Sequence, residues 1–68
     1  MTYAQLIAVL ARMLDASREL HELYDIAQRA GDDDLARAIR DAGVQVAACV
    51  GRVRASMRAL SAAPPRLS

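Results

Sequence analysis

Over the first half of the chain, apolar residues recur every three or four positions. Tyr3, Leu6, Leu10, Met13, Ser17, Leu20, Tyr24 and Ala27 form one stripe, widened by Ile7 and Leu14. Asp15, Arg18, Glu19, Glu22, Asp25 and Arg29 lie opposite it. This spacing predicts an amphipathic helix over residues 3–30. Thr2 and Gln5 have the spacing of a capping box, and Met1 and Leu6 that of a hydrophobic staple. Gly31 suits the left-handed residue that ends a helix.

Asp32, Asp33 and Asp34 follow at once, and short acidic side chains favour the positive start of a helix. The segment "AGDDDLA" therefore reads as stop, turn over 31–33 and restart. A second helix over 34–62 carries Leu35, Ile39, Ala42, Val46, Cys49, Val53, Ser56 and Leu60 at the same three–four spacing. The valines of "VQVAACVGRVR" would also suit a strand, but no second β-rich segment exists to pair with it. Pro64 and Pro65 disfavour continuation, leaving residues 64–68 as a flexible tail. Two long helices and a short turn predict an antiparallel hairpin over 1–63. Facing residues then have position numbers adding to about 64 or 65, which sets Asp25 near Arg40 as a surface pair worth well under about 1 kcal/mol.

The uncharged stretch "GVQVAACVG", residues 43–51, asks for more cover than one partner helix gives. Ile39, Val46, Val53 and Leu60 alternate with Ala42, Cys49 and Ser56 down one seam, as large and small layers do in helical bundles. A separate ridge of Gly43, Ala47, Gly51, Ala55 and Ala59 holds only small residues and would let another helix approach closely. Val44, Val50 and Met57 sit outside that seam and would be wet in a monomer. The expected fold is all-α: a hairpin that dimerises into a four-helix bundle. Its expected interface is Gly43, Val44, Ala47, Val50, Gly51, Ala55 and Met57. The competing reading leaves these residues on a solvated face.

Composition sharpens this. With 68 residues, the chain is one small domain, whose core would supply only about 3–5 kcal/mol without a staple. One cysteine, Cys49, excludes an intrachain disulfide, and no Cys or His pairing suggests zinc. A partner chain is the staple that remains. Hydrophobic residues reach 54%, a high share for a protein with so much surface relative to its volume. Every basic residue is Arg, and Ala is abundant, as in GC-rich bacterial or phage coding. A lone thiol, with no secretory leader expected at the N-terminus, points to the cytoplasm. No uncharged run is long enough for a membrane span.

The hairpin plan resembles the Rop family of plasmid copy-number regulators, helical hairpins that dimerise into four-helix bundles with small and large core layers. The resemblance implies the same bundle here. It also implies an RNA-binding face on the first helix, but Asp15, Glu19, Glu22 and Asp25 argue against one in this chain. In size and layout the chain is also similar to small helical-hairpin chaperones of bacterial type III secretion.

Candidate chemistry is sparse. Ser17, His21 and Asp25 stand four apart on one helix and carry the residue types of a catalytic triad, but a hairpin offers no pocket or oxyanion hole. No enzyme activity, cofactor or metal is expected. Cys49 reads as a small core residue. Residues 1–34 hold three Arg against seven acids, and residues 35–68 hold six Arg against one. Arg52, Arg54, Arg58 and Arg66, with Arg12 across the hairpin, form a basic patch. The expected function is a small interaction module: a regulator, adaptor or inhibitor acting by protein–protein contact, with a helical or acidic partner. The alternative is a nucleic-acid-binding regulator of Rop-like architecture that uses the arginine-rich end.

Overall fold

In the computed structural model, residues 1–62 are described, and they form two helices. Helix α1 spans Tyr3–Arg29 and α2 spans Asp33–Ala62. The expected tail, with Pro64, Pro65 and Arg66, lies outside the described residues. Both helices are capped by their own sequence. The Gln5 amide donates to Thr2 Oγ1 at 3.1 Å, and the Thr2 amide donates to Gln5 Oε1 at 2.8 Å. This reciprocal box satisfies two donors that a helix start leaves free.

The turn is equally explicit. Gly31 adopts a φ of 77°, the left-handed conformation that a Cβ disfavours. Its amide donates to the Gln28 carbonyl, and the Asp32 amide donates to the Ala27 carbonyl, both at 3.0 Å. Together these form a Schellman closure. Asp32 then caps α2, accepting from the Leu35 amide at 3.0 Å through its carboxylate. Asp33 and Asp34 fill the first turn of α2, where negative charge complements the helix dipole.

The two helices pack side by side as an antiparallel hairpin measuring 63 × 15 × 13 Å. Facing α2, α1 presents Leu6, Leu10, Met13, Ser17, Leu20, Tyr24 and Ala27, all buried or half-buried. The inner face of α2 is Ala36, Ile39, Gly43, Val46, Val50, Val53 and Met57. Here one expectation is corrected. Ala42, Cys49 and Ser56 are exposed, and Gly43, Val50 and Met57 take their place beside the Ile39–Val46–Val53 row. Both rows have heptad spacing. Turning Val50 and Met57 inward removes more apolar area from water than turning Cys49 and Ser56 would.

Only Leu6, Ala27 and Ala36 are buried among the described residues, and none of them completely. The accessible surface is 5529 Å², roughly a third above that of a compact monomer of this mass. One layer of two helices has no interior to speak of.

Candidate functional site

Each helix buries one narrow stripe, so the hairpin keeps two broad faces, one on either side of the seam. A groove of about 470 Å³ opens on the first. Ser17, Leu20, His21 and Tyr24 of α1 line it together with Ile39, Arg40, Gly43, Val44 and Ala47 of α2. Small side chains at Ser17, Gly43 and Ala47 leave the space, and Val44 stands at its edge, 64% exposed. Tyr24 and Arg40, and Ser17 and Ala47, share this lining, which matches the expected antiparallel register. The Asp25–Arg40 pair does not form. Among the described residues the ion pair within 4 Å is Arg18–Asp15, at 3.7 Å on the surface. Asp25 follows Tyr24 by roughly 100° around α1, and its short side chain turns away from α2.

Toward the open end, the same face has a second depression of about 310 Å³, lined by Tyr3, Leu10, Arg54, Met57, Arg58 and Ser61. An aromatic ring thus lies beside two arginines. Antiparallel pairing carries Tyr3 there from the far end of the chain.

The opposite face follows from helix geometry. Residues nine apart lie about two and a half turns apart and point to opposite sides. Leu23 stands in that relation to Leu14, Arg12 to His21, Leu35 to Val44 and Cys49 to Arg40. Leu23, Leu35, Ala42 and Cys49 therefore share the face away from the groove, while Ile26, nine residues from the inward Ser17, points away from α2, and all are exposed.

The residues expected at an interface divide accordingly. Gly43, Val50 and Met57 are half-buried against α1, and Val44, Ala47, Gly51 and Ala55 are exposed. A Cβ added at Gly51 would meet nothing within 4 Å. The basic residues divide too. Arg54 and Arg58 meet at the second depression, whereas Arg52 lies roughly 200° around α2 from Arg54, on the side that carries Arg12.

Ser17, His21 and Asp25 do not assemble as a relay. His21 Nδ1 lies 3.3 Å from the backbone carbonyl of Ser17, to which its N–H donates, and no hydrogen bond joins His21 to Asp25 among the described residues. Nearby, Gln28 Nε2 donates to the Tyr24 hydroxyl at 2.9 Å. No group of three or more His, Cys, Asp or Glu side chains could hold a metal ion among the described residues. No described helix is long and apolar enough to cross a membrane. Comparison with protein-family models, curated proteins and solved structures finds no match.

Proposed function

We propose that the chain is a small non-enzymatic helical interaction module of the bacterial or phage cytoplasm, acting by protein–protein contact through its helix faces and assembled as a homodimeric four-helix bundle. One observation carries this reading: among the described residues one leucine and two alanines are buried, while eight large hydrophobics on the helices, Ile26 and Val44 most of all, stay exposed. Exposed apolar side chains in that number on so small a chain mark association surfaces. The exposed side chains that carry it are uncharged, so association should rest mainly on apolar contact and survive high salt. Sedimentation at micromolar concentration in low and high salt tests this. A dimer in both conditions supports the module, and a fully helical monomer in both refutes it.

The depression holding Tyr3, Arg54 and Arg58 favours a second reading, in which the open end binds nucleic acid. Arginines would contact phosphates, and the ring would stack on a base. Salt-sensitive retention on heparin or RNA that disappears in Arg54→Ala/Arg58→Ala would support that reading. Passage without retention at low salt would eliminate it.

A further inference from the structure

We infer that the second copy packs antiparallel on the face opposite the groove, with the two-fold axis passing beside Ala16. This deepens the module reading and rests on it. A two-fold interface must be complementary to itself, so each residue meets whatever lies at the mirrored level of the same face. Ala16 is the middle residue of α1, and the middle of α2 falls between Ala47 and Ala48. An antiparallel two-fold at that level stacks α1 on α1 and α2 on α2.

On the face away from the groove, the mirrored residues fit. Val9 meets the partner's Leu23, Ala16 meets the partner's Ala16, and Leu35 meets the partner's Leu60. Arg12 comes within one residue of the level of the partner's Glu19, and the symmetry makes this pairing twice. The small side chains of Ala16, Ala42 and Cys49 near the axis let the backbones approach.

The groove face fails the same test. Ile7 would face the partner's Asp25, Leu14 the partner's Arg18, and Arg40 would come within one residue of the level of the partner's Arg54. Apolar groups would meet charges, and like charges would meet each other. The charge distribution opposes the parallel alternative on either face. Arg12, Arg52, Arg54 and Arg58 outnumber Asp15 at the open end, while Glu19, Glu22, Asp25, Asp32 to Asp34 and Asp41 outnumber Arg18, Arg29, Arg37 and Arg40 at the turn end. Antiparallel packing sets these ends against each other, and parallel packing would set like ends together. The groove then stays open in the dimer.

Engineered cysteines at the mid-level of the rod read the face directly. Ala16→Cys and Ala47→Cys, each in a Cys49→Ala background, lie on opposite faces and close to the proposed axis. Mild oxidation should convert most of Ala16→Cys to a covalent dimer, with its helicity retained, and leave Ala47→Cys largely uncross-linked. Cross-linking of Ala47→Cys in preference would place the dimer on the groove face, overturning the inference while sparing the module. A dimer by mass in which neither cysteine cross-links would overturn the antiparallel arrangement. A monomer by mass would overturn both readings.

A charge swap gives an independent check. Arg12 and Glu19 are about 10 Å apart along one helix, so coupling between them reports contact between copies. Arg12→Glu should weaken dimerisation about tenfold, and Arg12→Glu/Glu19→Arg should restore most of the loss. Additive losses would contradict the pairing.

Discussion

The two faces of the hairpin expose similar amounts of apolar side chain and differ in what interrupts it. On the groove side, Ile7, Leu14 and Val44 are separated by Arg18, Asp25, Arg40, Arg54 and Arg58 in an order that does not mirror about the middle of the rod. On the other side, Leu23, Leu35 and Leu60 are separated by alanines, Cys49, Arg52 and a few polar residues, with Arg12 and Glu19 placed almost symmetrically about Ala16. The difference teaches that exposure does not choose an interface between identical chains. Symmetry does, because every contact must be made twice.

The largest expected contrast comes from placing a charge on each face. Leu23→Glu removes roughly 1 kcal/mol of apolar burial per copy and forces a carboxylate toward the dimer core. Sedimentation should then show monomer at micromolar concentration, with helicity reduced. Val44→Glu, on the more exposed residue, should leave mass and melting nearly unchanged. The reverse pattern would exchange the roles of the faces.

A smaller effect belongs to both faces, because it acts on the turn that aligns them. Gly31→Val should destabilise by at least about 1 kcal/mol, since a β-branched residue resists a φ of 77°. A Cβ there would touch nothing, so the loss is conformational, and an unchanged denaturation midpoint would show that the turn re-forms another way. Asp32→Ala removes the N-cap of α2 and should cost about 1 kcal/mol in the same measurement.

The smallest effect separates the ridge expected from sequence from the face proposed for the dimer. Gly51→Leu raises helix propensity by up to about 1 kcal/mol at a position with open space around it. It should raise the melting temperature slightly and leave the dimer intact. Destabilisation with loss of the dimer would mean that another helix packs closely on Gly51.

Much of the fold was legible before any coordinates. Thr2, Gln5, Gly31 and Asp32 announce their caps by residue type, and the stripe from Leu6 to Ala27 is one-sided enough to fix the seam of α1. The seam of α2 was harder to read. Its two candidate rows flank Ile39, Val46 and Val53 at equal spacing, and a small rotation of the helix decides between them. Periodicity is blind to that rotation, whereas the sizes of Val50 and Met57 against Cys49 and Ser56 carried the signal. The grouping of Tyr3 with Arg54 and Arg58 needed the hairpin register applied to the open end. The split of the arginines between two faces needed their angles around each helix as well as their distance along the chain.

One hairpin is proposed to be an incomplete layer that a second hairpin stabilises. Thermal melting followed by circular dichroism over a hundredfold range of protein concentration tests this claim most directly. Folding coupled to dimerisation makes the midpoint concentration-dependent. The melting temperature should rise steadily with concentration, in step with the dimer fraction seen by sedimentation. A sharp, fully helical transition whose midpoint stays fixed across that range, at the mass of a single chain, would contradict the claim.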